Sequence, residues 1–194
     1  FKRPSIFTIL KWMFTRKAPA FPLPSAFDAV VPDFAPTPDS MKCTWIGHAT
    51  CLLQADGLNV LTDPVFSERC SPVQWAGPRR YTAPASRISE LPKIHLVLIS
   101  HDHYDHLDYD SIIALEKRFK PVYVCGLRLG SWFIKEANVD PGRVSEFDWW
   151  QSKSFFDDKC FIQFLPVQHW SKRQIINDDC RSLWGGFSVQ IESK

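Results

Sequence analysis

The segment from His101 to Asp108 packs three histidines and three aspartates into eight positions: His101, Asp102, His103, Asp105, His106 and Asp108. It follows Leu96-Val97-Leu98-Ile99, a short apolar run that reads as a buried strand. After it, Asp110 or Ser111 can cap a helix carrying Ile112, Ile113, Leu115 and Phe119. The imidazoles and carboxylates therefore fall in a loop at the carboxyl end of a strand, where open α/β sheets place their chemistry. That pattern reads as a metal site. His101 and His103 can hold one ion, and Asp105 and His106 can reach a second beside it. Imidazole with carboxylate suits zinc, iron or manganese better than calcium or magnesium. The alternative is a polar loop whose histidines only make hydrogen bonds.

At 194 residues and 45% hydrophobic content the chain can build one sizeable core. Cys43, Cys51, Cys70, Cys125, Cys160 and Cys180 show no C-x-x-C spacing, which disfavours a thiolate zinc finger. With no secretory signal in view they read as free thiols in a reducing, cytoplasmic compartment. No apolar run approaches the roughly 18 residues of a membrane span. Net charge is +2 but uneven. Lys2, Arg3, Lys11, Arg16 and Lys17 precede the first acid, Asp28, and the rest of the chain has 18 basic against 21 acidic residues. A basic head on a slightly acidic body suggests an anionic surface as partner and disfavours nucleic acid.

Residues 1–40 read as an amphipathic helix and a proline-rich arm, and 41–194 as the catalytic domain. In the helix, Pro4 suits the first turn. Ile6, Ile9, Leu10 and Met13 share a face that Phe7 and Phe14 widen, with Lys11, Arg16 and Lys17 off it. It either meets lipid head groups, with Trp12 at the interface, or packs on the domain's own core. Pro19, Pro22, Pro24, Pro32, Pro36 and Pro38 preclude regular structure in the arm.

Strands are predicted at Lys42–Ile46, Cys51–Gln54 and Asn59–Thr62, with Asp56-Gly57 as a tight turn. Further strands are predicted at Val122–Cys125, Val144–Phe147, Phe161–Val167 and Ser182–Ile191, with a helix at Leu127–Asn138. His48 and Asp63 stand at strand ends on the predicted rim. Asp63 either orients a metal-bound imidazole or caps its own turn; His48 carries the same ambiguity and is expected among the substrate-binding residues. Residues 67–93 form a long irregular insertion, expected as a wall beside the substrate. Within it Arg79 and Arg80 either meet phosphate or are solvated. His169 follows a strand and is the only histidine downstream of the loop, placed to complete a three-histidine face. Lys172 and Arg173 follow it closely and can neutralise an anionic substrate.

The His-x-His-x-Asp-His loop with a distant single His resembles the metallo-β-lactamase fold superfamily. Six stretches narrow that likeness: Trp45-Ile46-Gly47-His48-Ala49-Thr50, Leu61-Thr62-Asp63-Pro64, Ser71-Pro72 with Gly77-Pro78-Arg79-Arg80, Ile99 to Asp108, Asp148-Trp149-Trp150 and Gln168-His169-Trp170. Together they resemble the N-acylphosphatidylethanolamine-hydrolysing phospholipase D family and its bacterial relatives. The resemblance implies an α/β fold, an αββα sandwich, and a two-zinc phosphodiesterase releasing N-acylethanolamine and leaving phosphatidic acid. It implies His101, His103 and His169 on the first zinc, Asp105 and His106 helping to hold the second, and Asp105, His106 and Asp63 as the catalytic set. Trp75, Tyr81, Trp170 and Trp184 would meet acyl chains or else be buried, and the enzyme would sit peripherally on a membrane.

The family pattern continues beyond the strand near Ile191 to a bridging Asp and a final His. Neither is present here, so the chain reads as the N-terminal half to two-thirds of the fold, with the remainder or a homodimer partner completing it. The competing functions are another hydrolase of the same fold, such as a sugar-phosphate lactonase or a nuclease, and an inactive fragment serving as a membrane- or partner-binding module.

Overall fold

The computed structural model describes residues 5–15, 30–37, 40–173 and 178–191. Its largest element is a six-stranded sheet in sequence order. β1 (Lys42–Gly47), β2 (Thr50–Ala55) and β3 (Leu58–Thr62) run antiparallel. The β2–β3 turn is Asp56-Gly57, both at positive φ (45° and 74°), as a two-residue hairpin with right-handed strand twist demands. β4 (Leu96–Ile99), β5 (Val122–Gly126) and β6 (Val144–Phe147) continue parallel to β3. A parallel strand is covered on both faces, and all four residues of β4 are buried.

β3 reaches β4 through the irregular insertion, and the next two crossovers are helical. α2 (Tyr109–Phe119) joins β4 to β5, and α3 (Gly130–Lys135) lies between β5 and β6. The label α1 is given to the separate helix Ile6–Thr15. A second, three-stranded antiparallel sheet holds β7 (Ser152–Phe155), β8 (Cys160–Leu165) and β9 (Gly186–Ile191).

Alternation along β4 builds two cores from one strand. Val97 and Ile99 join Leu61, Tyr123 and Cys125 against Ile112, Leu115 and Phe133 of the helices. Leu96 and Leu98 join Val60 and Val124 against Phe155, Ile162 and Phe164 of the second sheet. Each fully buried aliphatic side chain contributes about 1.5–3 kcal/mol, so β4 is clamped from both sides and its carboxyl end is a rigid platform. Among the described residues the layers are helix, sheet, sheet: three of the four expected.

Several boundaries differ from expectation. β7 is absent from the sequence reading because Ser152, Lys153 and Ser154 present no apolar alternation. The helix expected over 127–138 is only α3. Arg128 takes positive φ (69°) before it and Asn138 (52°) after it, and Leu127 N–H is spent on Phe147 O. The last strand starts at Gly186, not Ser182, because Leu183 N–H is spent on Leu127 O, just past β5. A Cβ on Gly126 would lie 2.4 Å from Leu183 O, so glycine is what lets that segment approach.

The arm over 30–37 is extended and docks. Gln54 Nε2 donates to Phe34 O, and Phe34 packs on the helix-side core. In α1 the cap is Ser5, whose Oγ accepts from Thr8 N. Phe7, Trp12 and Phe14 are exposed. Lys2, Arg3, Pro4, Arg16, Lys17 and residues 18–29 lie outside the described residues, as do the side chains of Ile6, Ile9, Leu10 and Met13. No helix among the described residues is long and apolar enough to cross a membrane.

Candidate metal centre

β3 and β4 end side by side, and their ends build the site. Asp63, just past β3, sits at positive φ (35°). Its backbone is fixed on both sides: Asp63 N donates to Leu98 O at 2.9 Å, and Thr50 Oγ1 donates to Asp63 O at 2.7 Å. Its buried carboxylate accepts from Ser100 N (2.7 Å), Ser100 Oγ (2.7 Å) and His106 Nδ1 (2.9 Å). Because the Ser100 hydroxyl donates to Asp63, it accepts the proton of His101 Nδ1, 2.9 Å away. One carboxylate thus sets the tautomer of two imidazoles, one directly and one through a hydroxyl. Both Nε2 lone pairs are turned outward, the arrangement that orients metal-bound histidines.

Three ring nitrogens converge there. His101 Nε2 is 2.9 Å from His103 Nδ1 and 3.0 Å from His169 Nε2, and His169 Nε2 is 3.3 Å from His103 Nδ1. Donors at Zn–N distances of about 2.0–2.1 Å in tetrahedral array stand about 3.3–3.4 Å apart. Three mutually close nitrogens cannot all be satisfied by protons shared among themselves, whereas one cation satisfies all three. Burial, reinforced by the neighbouring imidazoles His106, His103 and His169, pushes the His101 pKa down to about 2. Burial and then His169 lower that of His103. Both rings are held neutral, as metal ligands must be. His103 Nε2 is buried with no partner among the described residues.

A second group adjoins the first. His48 Nε2 is 3.2 Å from Asp105 Oδ2, and His106 Nε2 is 3.8 Å from the same oxygen. The His101 and His106 ring centroids are 4.1 Å apart. Burial works to lower the His106 pKa, but the hydrogen bond and charge of Asp63, with the charge of Asp105, outweigh it and leave it raised. These six ligand-type residues fall into two clusters, His101/His103/His169 and His48/Asp105/His106.

Sequence reasoning missed the residues that deliver them. Asp102 is buried and accepts from Lys172 N (2.8 Å) and Ser182 Oγ (2.7 Å), which ties the His169 segment to the histidine loop. Ser100 gives no sequence signal of its own. The α2 N-cap is Asp108 rather than Asp110 or Ser111. Its carboxylate accepts from Ser67 N, Ser67 Oγ and the Ser111 hydroxyl.

The basic residues expected to face an anion are engaged elsewhere. Arg173 is half-buried, donates to Asp102 O and Leu107 O, and stacks on Tyr104 and Trp132. Lys172 pairs with Asp179 at 3.1 Å. Arg80 donates to Ser67 O and Val65 O, pinning the insertion to the strand end, and Arg79 pairs with Glu68. A residue's charge does not reveal that backbone carbonyls already claim it. The insertion lines an open groove of about 1130 Å³ with Arg79, Arg80 and Tyr81, beside Phe66, and none of the six ligand-type residues is among those lining it. Trp75 and Tyr81 are 83% and 64% exposed. Trp170 is 39% exposed, its ring 4.5 Å from that of His103. Trp184 instead packs on Trp149 and donates to Val167 O.

Comparison with known proteins gives a match to the beta-lactamase superfamily domain over residues 58–194. An uncharacterized protein of Mycobacterium tuberculosis is 36% identical over 170 residues, covering 88% of this chain and 44% of that protein. The N-acyl-phosphatidylethanolamine-hydrolyzing phospholipase D 1 of Caenorhabditis elegans is 35% identical over 158 residues, covering 78% of this chain and 44% of that protein. The chain therefore spans less than half the length of these two relatives. Among solved structures, Igni18, a metallo hydrolase from Ignicoccus hospitalis, superposes with a TM-score of 0.56 at 17% identity, covering 79% of this chain and 57% of that one. That likeness concerns the fold alone.

Proposed function

Because this chain belongs to the beta-lactamase superfamily, we propose that it carries the metal-binding part of a zinc-dependent phosphodiesterase acting on N-acylphosphatidylethanolamine. The observation that carries the reading is the convergence of His101 Nε2, His103 Nδ1 and His169 Nε2 beside Asp105 and His106. The 35% identical Caenorhabditis elegans relative, named for that hydrolysis, supports the substrate class.

In this reading His101, His103 and His169 hold the first ion, and Asp105 and His106 face the second. Bound zinc would make water nucleophilic near neutral pH and offset charge at phosphorus. The residues of the chain do the rest. Asp63 and Ser100 keep protons on the inner nitrogens of His106 and His101, so that the outer nitrogens stay unprotonated. Asp102 holds the His169 segment in place. Water adds to phosphorus, the bond from phosphorus to the N-acylethanolamine oxygen breaks, and that oxygen leaves with a proton. The products are N-acylethanolamine and phosphatidic acid. Such a substrate stays in a bilayer, and exposed Trp75, Tyr81, Phe7 and Trp12 suit a peripheral encounter with it.

The test is hydrolysis by the protein of the complete reading frame, loaded with zinc. N-acylphosphatidylethanolamine vesicles are compared with a water-soluble phosphodiester, and products are followed by mass spectrometry. Release of N-acylethanolamine, abolished by His101→Ala, is expected. Turnover of the soluble diester with none of the lipid would overturn the lipid assignment and leave a hydrolase of another substrate class.

A further inference from the structure

We propose that Cys43 and Cys51 form a reversible redox couple, two thiols on neighbouring strands that close to a disulfide when a small-molecule disulfide oxidises them. The pair is independent of the metal centre and of the lipid. In the β1–β2 pairing Cys43 stands opposite Leu53, and Trp45 opposite Cys51. Residues two apart on a strand share a face, and so do residues directly opposite one another. The four side chains therefore lie on one face, with the cysteines at diagonal positions. The register makes them neighbours, and the side chains meet: the Cys51 and Cys43 thiols are hydrogen-bonded to each other. Cys43 is exposed and Cys51 half-buried. Cys125 and Cys160, by contrast, are buried in the two cores, and Cys70 faces the charges of Asp105, Arg80 and Asp108.

The fold sets the character of the bond. Diagonal Cα atoms in an antiparallel pair are about 7–8 Å apart, beyond the roughly 4.4–6.8 Å usual for a disulfide. Closure must therefore draw the strands together. β1 can follow, being an edge strand whose register already shifts between Trp45 and Gly47. A disulfide closed under such strain is readily reduced, which makes the pair a couple rather than a permanent crosslink. The order of attack follows from the surroundings. Burial, and then the neighbouring Cys43 thiol, push the Cys51 pKa up, so Cys51 stays protonated and exposed Cys43 attacks first. Cys43 Sγ gives up its proton and attacks one sulfur of the small disulfide, whose S–S bond breaks and whose other half leaves as a thiolate. Cys51 Sγ then loses its proton and attacks Cys43 Sγ, releasing the second half. Two protein thiols are oxidised, one small disulfide is reduced to two thiols, and the protons go to the departing thiolates. The loop closed in this way, 43–51, contains the turn that presents His48 to Asp105.

The experiment treats the reduced 194-residue chain with glutathione disulfide, followed by acid quench, alkylation and mass spectrometry. Trypsin cuts after Lys42 and Arg69, so the fragment 43–69 carries these two cysteines and no other. The expected result is a 43–69 fragment lighter by two hydrogens and closed to alkylation, with the circular dichroism of the chain unchanged. Excess reduced glutathione, added without denaturant, should restore both thiols. Cys51→Ser should stop at a mixed disulfide on Cys43, and Cys43→Ser should leave Cys51 unmodified over the same time. A fragment with both cysteines alkylated, or with each carrying its own glutathione, would overturn the proposal. So would closure that comes only with loss of the circular dichroism signal, because the bond would then belong to the unfolded chain. A bond that reduced glutathione opens only in urea would be a permanent crosslink, and the reversible couple would fall.

Discussion

His106 Nδ1 lies 2.9 Å from Asp63 Oδ2, and the same oxygen accepts the Ser100 hydroxyl that in turn faces His101 Nδ1. A single buried carboxylate at the end of β3 therefore orients one imidazole of each ligand group. Asp63→Asn keeps the volume but puts a donor where the network needs an acceptor. Loss of such an outer partner typically costs 10–100-fold in metal affinity. Competition against a chromophoric chelator should show that loss in both binding steps. Weakening of only one step would mean that the shared carboxylate is not what couples the two groups.

His101 is central to the first group, with partners at 2.9 and 3.0 Å. His101→Ala removes one of three nitrogens and opens the cluster. If bound zinc supplies roughly 4 kcal/mol of charge stabilisation at the reacting centre, turnover by the complete protein falls on the order of a thousandfold. Metal content, measured beside activity, should drop first in the three-histidine site. Full activity at normal zinc content would remove His101 from the machinery.

What the sequence made legible follows from local chemistry. The histidine loop stood out because ligand-type residues crowd after an unbroken apolar run, the composition a strand buried on both faces needs; that Val97/Ile99 and Leu96/Leu98 serve different cores shows only in the fold. The Asp56-Gly57 turn was equally plain. The remainder depends on partners distant in the chain. Asp102 looks like one more loop carboxylate until Lys172 N and Ser182 Oγ arrive about 70–80 residues later. Arg173 reads as neutralising an anion, and Arg80 as either meeting phosphate or solvated, because charge is visible in sequence and the carbonyls that engage it are not. β7 has no apolar face to announce it.

Asp102 offers a stability test. Its carboxylate is buried, with two donors on it. Asp102→Ala leaves Lys172 N–H and Ser182 O–H without that acceptor, at a cost of about 2–4 kcal/mol. The urea midpoint should fall accordingly. Because the lost bonds tether the His169 segment, first-step metal affinity should fall too. A loss of stability with unchanged metal affinity would show that His169 is placed by other contacts.

His95 gives a pH signature away from the metal cluster. Its Nδ1 accepts from Asn59 N at 3.1 Å, which requires that nitrogen unprotonated. Burial first, and the charge of Lys93 second, lower its pKa below the ordinary 6.5. As pH falls the unfolded chain therefore takes up the proton before the folded one does. The contribution of neutral His95 is complete above about pH 6.5 and is lost as pH falls from there through the folded-state pKa. Urea midpoints at pH 7.5 and pH 5 should drop more in the wild-type chain than in His95→Gln, whose side chain does not titrate in that window. Histidines elsewhere titrate in both proteins, so the difference between them isolates this one ring. Equal drops in the two proteins would mean that His95 takes up its proton alike in the folded and unfolded chain, and that its burial does not hold the ring neutral.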